Sequence, residues 1–156
     1  MKPGKWMTAS LSLSLIDQYV KEQVEERFCT GDEKKIAGSR IVWRRVENRG
    51  FALNLLDARP ELVQKSSLVA VLLSGAYSGA VFLRKGHFFQ KTGAMLLFGG
   101  ALSNLYDRIW RGYVVDYIGF QTRWKKLTEI TYNFGDFFIF SGMGMLLASC
   151  LKEKKK

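Results

Sequence analysis

Ser66-Ser67-Leu68-Val69-Ala70-Val71-Leu72-Leu73-Ser74-Gly75-Ala76-Tyr77-Ser78-Gly79-Ala80-Val81-Phe82-Leu83 is the longest run without a charge in this 156-residue chain. A helix of 18 residues rises about 27 Å at 1.5 Å per residue, close to the hydrocarbon thickness of a bilayer. Three further blocks resemble it. Thr92–Tyr106 and Phe137–Leu151 are uncharged but shorter, and Trp6–Val20 carries one charge, Asp17, among Ser10, Ser12 and Ser14. Mean hydropathy is only -0.05 although 47% of residues are hydrophobic, because the apolar residues are gathered in these blocks. The reading is a mainly α membrane protein with four transmembrane helices, at about 6–27, 66–84, 92–110 and 136–151. A soluble helical domain with buried helices is the competing reading.

The connections between the blocks carry a second pattern. Ser39-Arg40-Ile41-Val42-Trp43-Arg44-Arg45-Val46 and Tyr113-Val114-Val115-Asp116-Tyr117-Ile118 are rich in β-branched and aromatic residues, which predicts strands. A small β-sheet is therefore expected outside the membrane, built from segments 28–65 and 111–135. Asp57-Ala58-Arg59-Pro60 reads as a turn, and the C-terminal Lys-Glu-Lys-Lys-Lys as disordered. Small residues recur at close spacing in three blocks: Ser74, Gly75, Ser78 and Gly79; Gly99, Gly100, Ala101 and Ser103; Gly142 and Gly144. They predict a bundle whose helices approach closely. The whole chain reads as one membrane-embedded domain.

A net charge of +10 raises the possibility of a nucleic-acid binder. The cations do not form such a footprint. They cluster at Lys2/Lys5, Arg84/Lys85/Lys91 and Lys152–Lys156, each at the edge of an apolar block. That is the distribution of cytoplasmic anchors facing anionic lipid. It sets both termini in the cytoplasm and the two long connections outside, although Arg111, Arg123, Lys125 and Lys126 weaken the bias. The N-terminal segment has a basic start and an apolar run but no clear small-residue cleavage site, so it is expected to be retained. Cys29 and Cys150 fall on opposite sides and have no metal-ligand pattern around them. With a single histidine, His87, no Ser/His/Asp set is available.

Chain direction places the remaining polar groups. Asp17 and Lys21 fall near the outer end of the first helix. Asn104, Asp107 and Arg108 fall near the outer end of the third. Asp116 follows, Asp136 opens the fourth helix, and Asn48 lies in the outer connection. Four spans therefore bring all of them to one membrane level. Ionisable groups at such a boundary are costly, so they mark a candidate functional site. Simpler roles exist for some: an i,i+4 ion pair for Asp17–Lys21, a structural pair for Asp107–Arg108, a helix cap for Asp136. Asp116 interrupts Val114-Val115 and Tyr117-Ile118 and has the weakest structural reason to be there. Two carboxylates meeting at an apolar boundary repel if both ionise, so one keeps a proton. The charged member can then take a proton from water while its partner protonates an amide carbonyl.

At these residues the chain resembles the lipoprotein signal peptidase family, also called signal peptidase II. The resemblance rests on Asp17-Gln18-Tyr19-Val20-Lys21, Asn48-Arg49-Gly50-Phe51-Ala52, Gly99-Gly100-Ala101-Leu102-Ser103-Asn104-Leu105-Tyr106-Asp107-Arg108, Gly112-Tyr113-Val114-Val115-Asp116 and Asn133-Phe134-Gly135-Asp136, in that order. It implies four membrane helices with an extracytoplasmic β-cradle. It also implies an aspartic endopeptidase that cuts diacylglyceryl-modified prolipoproteins before the lipid-bearing cysteine. By the same resemblance Asp116 and Asp136 are the catalytic dyad. Asp17, Lys21, Asn48, Gly50, Asn104, Asp107, Arg108 and Asn133 shape the site or hold substrate. No metal or other cofactor is implied. The expected partners are prolipoproteins and membrane lipids, with no nucleic acid, and the expected state is a monomer in the bacterial cytoplasmic membrane. Departures are Leu53 for Phe, Ser103 for Gly, Tyr132 for Phe, Gly135 for Ala, and an unusually polar first helix. They motivate one alternative, a paralogue that binds lipoprotein or lipid without cleaving.

Overall fold

The computed structural model describes residues 2–51 and 56–153. Ala52 and Leu53, named above, lie outside the described residues, as do Lys154–Lys156. The elements in chain order are helix α1 (Pro3–Arg27), strands β1 (Glu33–Lys35) and β2 (Ile41–Asn48), helices α2 (Pro60–Leu83) and α3 (Phe88–Trp110), strand β3 (Val114–Phe120), the short helix α4 (Lys125–Thr128), strand β4 (Thr131–Tyr132) and helix α5 (Phe134–Glu153). The protein is mainly helical with a small antiparallel sheet. α2 begins ahead of the uncharged run because Pro60 suits the first helical position, where no N–H partner is needed.

α3 is the central helix, packed against α1, α2 and α5. Glycines set how closely it is approached. A Cβ at Gly99 would stand 2.7 Å from the Ser10 carbonyl oxygen of α1, and one at Gly142 of α5 would stand 2.6 Å from the Leu97 nitrogen. A Cβ at Gly100 would collide with the Gly135 carbonyl oxygen. Of the small residues read from sequence, Gly75, Gly99, Gly100 and Gly142 thus lie where helices approach closely, whereas Gly79 and Gly144 meet open space.

Two helices, α2 and the Phe134–Lys152 stretch of α5, are long and apolar enough to cross a membrane. α1 and α3 have the length but not the composition, so the four expected spans are two by this measure. The reason is visible in α1. Its buried residues, Trp6, Ser10, Ser14, Asp17, Lys21 and Val24, recur at helical spacing on one face. Leu11, Leu15, Ile16 and Tyr19 are exposed. The helix is polar inward and apolar outward, the reverse of a helix in a water-soluble protein. α2 and α5 also expose large apolar side chains, among them Leu72, Leu73, Leu83, Met143 and Leu147.

The sheet order is β1-β2-β3-β4, every pair antiparallel. Both strands expected from sequence form, as β2 and β3, and β1 and β4 extend them on either side. The β2–β3 register breaks between Trp43 and Val46 and resumes with Val46 opposite Asp116 and Asn48 opposite Val114. β3 is buried along nearly its whole length, and Val115, Tyr117 and Ile118 join Val24 of α1 in one apolar cluster. The sheet is therefore seated on the end of the bundle, with β3 running directly over the polar ends of α1 and α3.

Candidate active site

Asp116 and Asp136 are held by one side chain. Asn133 donates from Nδ2 to Asp116 Oδ1 at 2.7 Å. Its backbone N–H donates to Asp136 Oδ2 at 3.2 Å, and its Oδ1 accepts from the Asp136 N–H at 2.8 Å. The last two contacts form a reciprocal cap at the start of α5, three residues apart, in the manner of a capping box. The capping role considered for Asp136 is therefore real, and it aims the same carboxylate at Asp116's neighbour. The second oxygen of each aspartate has its own amide. Asn48 Nδ2 donates to Asp116 Oδ2 at 3.0 Å, and Asn104 Nδ2 donates to Asp136 Oδ1 at 2.9 Å. All four carboxylate oxygens accept from an amide N–H, which fixes the plane of each carboxylate.

Asp116 lies on β3 and is 3% exposed, whereas Asp136 is half-buried. Burial, and then the charge of Asp136, push the Asp116 carboxyl up to about 7. The amides of Asn48 and Asn133 and the charge of Lys21 pull in the other direction without cancelling the rise. Near neutral pH this carboxyl can hold or release a proton, as acid–base work requires.

Beneath the dyad lies a buried ion cluster. Lys21 Nζ is 2.9 Å from Asp17 Oδ2 and 2.8 Å from Asp107 Oδ2, and all three side chains are fully buried. Lys21 also donates to Asn104 Oδ1 at 2.9 Å. The i,i+4 spacing of Asp17 and Lys21 thus gives a true pair. The pair considered between Asp107 and Arg108 does not form. Asp107 instead takes Lys21 and Arg111 (2.6 Å), and it accepts from Gln18 at 2.9 Å and from the Val115 N–H at 3.2 Å. Arg108 turns the other way. It donates to the Asn104 and Gly50 carbonyl oxygens at 3.2 and 3.0 Å and stacks over Phe51, 5.8 Å from the ring centre. Gly50 in turn donates its N–H to Asn48 Oδ1 at 3.0 Å, so Arg108 anchors the loop that orients Asn48.

All ten residues singled out from sequence therefore belong to one connected network. Sequence reasoning missed Tyr117. Its hydroxyl donates to Asp17 Oδ1 at 2.9 Å and accepts from the Phe134 N–H at 3.0 Å. It joins the buried ion cluster to the first turn of the helix that carries Asp136. Its burial, with the Asp17 charge beside it, pushes the phenol upward, so it stays a neutral donor. No local signal marked it, because successive strand side chains point to opposite faces and its place beside Asp116 aims it the other way. Ser103 was read as a small residue and as a departure from Gly, not as a site residue, yet it donates to Asp17 Oδ2 at 2.6 Å and accepts from Lys21 at 3.3 Å. Gly135 also has a local reason. A Cβ there would sit 2.9 Å from Asn133 Oδ1 and from Asp17 Oδ2, and 3.1 Å from Asn104 Oδ1. Among the described residues no group of acidic, histidine or cysteine side chains has a metal-binding arrangement.

A family model described as signal peptidase (SPase) II matches residues 9–152. Among similar proteins named lipoprotein signal peptidase, that of Fusobacterium nucleatum is 29% identical over 94% of this chain and 86% of its own. That of Caldicellulosiruptor bescii is 30% identical over 92% and 88%, and that of Trichormus variabilis 31% over 95% and 89%. A solved bacterial membrane enzyme superposes with a TM-score of 0.80 over 97% of this chain and 90% of its own, at 20% identity.

Proposed function

The chain belongs to the signal peptidase II family, and from that premise we propose that it is a membrane aspartic endopeptidase. It removes the signal peptide from diacylglyceryl-modified prolipoproteins, cutting before the lipidated cysteine. The observation that carries this reading is Asn133 holding both Asp116 and Asp136 while each carboxylate keeps a second amide donor.

In this reading the pair shares one proton. The ionised carboxylate takes a proton from a water lying between the two, and the hydroxide so formed attacks the scissile carbonyl carbon. The protonated carboxyl gives its proton to the carbonyl oxygen. Collapse of the tetrahedral intermediate breaks the C–N bond as the amine leaves with a proton. The four amide donors hold both carboxylates in place throughout, so little reorganisation accompanies the charge movement. Lys21, Asp17 and Asp107 set the field beneath the site, and Arg108 and Gly50 hold Asn48. The chain is one domain crossing the membrane four times. α1 and α3 cross with their polar faces turned inward, the termini lie in the cytoplasm and the dyad faces outward. The positively charged ends of the bundle and the apolar outer faces of all four helices support this arrangement.

Asp116→Asn and Asp136→Asn each abolish cleavage of a lipid-modified prolipoprotein while the protein stays folded. Full turnover by both variants would overturn the dyad. Binding of the lipidated peptide by the wild-type chain with no cleavage product would favour a non-cleaving role.

A further inference from the structure

We propose a binding site for the phosphate of an anionic phospholipid at the end of the bundle opposite the dyad, where the start of α1 meets the α2–α3 turn. A cavity of about 410 Å³ opens there, lined by Trp6, Phe82, Arg84, Lys85, Phe88 and Lys91 among others. Lys91 is only 6% exposed, and its ammonium donates to the Arg84 carbonyl oxygen. Among the described residues no carboxylate lies within ion-pair distance of it. From Leu62 to Tyr106 the sequence has no acidic residue at all. An ammonium has three donors, and a buried cation is ordinarily paired. Beyond the Arg84 carbonyl, no group among the described residues answers the remaining donors and the charge of Lys91.

A second group at the same cavity has the same deficit. Trp6 is 3% exposed, and its indole N–H is buried without a hydrogen-bond partner. Its ring is fixed by Phe82, stacked at 6.0 Å, and by Phe88, edge-on at 5.3 Å. Arg84 and Lys85 stand exposed at the rim, and α3 begins at Phe88, which adds the positive end of its dipole. An anion answers all of these at once. Leu83, Phe88 and Phe89 are exposed beside the cavity at 75%, 69% and 51%. They supply an apolar flank for acyl chains, which a free phosphate would leave uncovered. This selects a lipid phosphodiester at headgroup level as the occupant.

The test uses the full chain in nanodiscs of phosphatidylcholine with and without phosphatidylglycerol, with retained lipid counted by native mass spectrometry. Phosphatidylglycerol is retained and phosphatidylcholine is not. Trp6→Phe, which keeps the ring, and Lys91→Gln each lower retention about tenfold, the loss of one hydrogen bond to a charged group. Lys34→Gln, away from the cavity, leaves retention unchanged. Equal retention of the two lipids would overturn the site, as would unchanged retention in Trp6→Phe. If inorganic phosphate in phosphatidylcholine discs raises the melting temperature as much as phosphatidylglycerol does, the occupant is a free anion and the lipid assignment fails. Trp6→Phe and Arg84→Gln decide the matter if Lys91→Gln does not fold. The site rests on this end of the bundle lying at a membrane surface, which incorporation into discs reports separately. The lipid readout needs no substrate, so it stands apart from the peptidase reading.

Discussion

Lys21 reaches Asp136 through Asn104. Its ammonium donates to Asn104 Oδ1 at 2.9 Å, and the other end of that amide donates to Asp136 at 2.9 Å. The same ammonium pairs with both Asp17 and Asp107. Lys21→Met leaves two buried carboxylates without their shared cation, a loss worth about 3–5 kcal/mol. It also frees Asn104 to rotate. We expect a large fall in melting temperature together with loss of cleavage. Lys65 forms an i,i+4 pair with Glu61 at 3.7 Å, but both side chains are largely exposed. Lys65→Met is expected to change neither quantity measurably.

The elevated Asp116 carboxyl sets a pH dependence with a definite sign. Its proton is retained at pH 6, where an ordinary carboxyl would be ionised, and is lost as pH rises through about 7. In the proposed mechanism cleavage needs one proton on the pair, so the rate is expected to fall on the alkaline side with an apparent pKa near that value. Asn48 donates to the charged form and holds this pKa down. Asn48→Ala therefore moves the alkaline limb to higher pH while lowering kcat. Stability follows the same linkage. Asp116 binds its proton more tightly folded than unfolded, so the stability it contributes is lost as pH rises from about 4 through about 7. Asp116→Asn is expected to melt higher than wild type at pH 8, with the difference shrinking at pH 5. Thermal unfolding at the two pH values checks this.

Tyr117→Phe tests the tie between the ion cluster and α5. The ring keeps its stack on Trp43, with centres 5.6 Å apart, while Asp17 Oδ1 loses a donor and the Phe134 N–H loses an acceptor. Leaving such buried groups unsatisfied costs about 1–3 kcal/mol. Because the hydroxyl acts through the start of α5 rather than on substrate, kcat should fall with KM little changed. Equal falls in kcat/KM and in binding of an uncleavable lipidated peptide would assign the residue to substrate contact instead.

The sequence made the bundle and the site legible to different depths. Ser66–Leu83 announced α2 because an uncharged run of that length has few other uses. The i,i+4 spacing of Asp17 and Lys21 announced a pair that forms at 2.9 Å. Local spacing failed where partners come from afar. Asp107 and Arg108 are adjacent in sequence, yet successive helical side chains point in different directions. Asp107 turns to Lys21 on α1 and Arg108 to the Gly50 carbonyl. Tyr117 carried no motif, and only the seating of β3 over α1 gives its hydroxyl two partners. α1, expected as a span, falls short on hydropathy because the average runs over two faces, the polar one turned inward and the apolar one outward.

Gly100 couples helix packing to the dyad. A Cβ there would collide with the Gly135 carbonyl oxygen, and would sit 3.0 Å from the Phe138 Cβ. The first obstacle is backbone, so it cannot be relieved by a rotamer change. α5 must move away from α3, and the moving end carries Asn133, Gly135 and Asp136. The Asn104–Asp136 hydrogen bond, 2.9 Å long and spanning the same two helices, must then lengthen. Displacements of about 1 Å at a reacting group can cost about a hundredfold in rate. Gly100→Ala should therefore lower both the melting temperature and kcat. Gly144, also on α5, has open space where a Cβ would go. Ala there removes backbone freedom from the unfolded chain at no steric cost, so Gly144→Ala should stabilise the protein by about 0.5–1 kcal/mol and leave kcat unchanged. If both substitutions act alike on kcat, close approach of α3 and α5 does not set the dyad geometry.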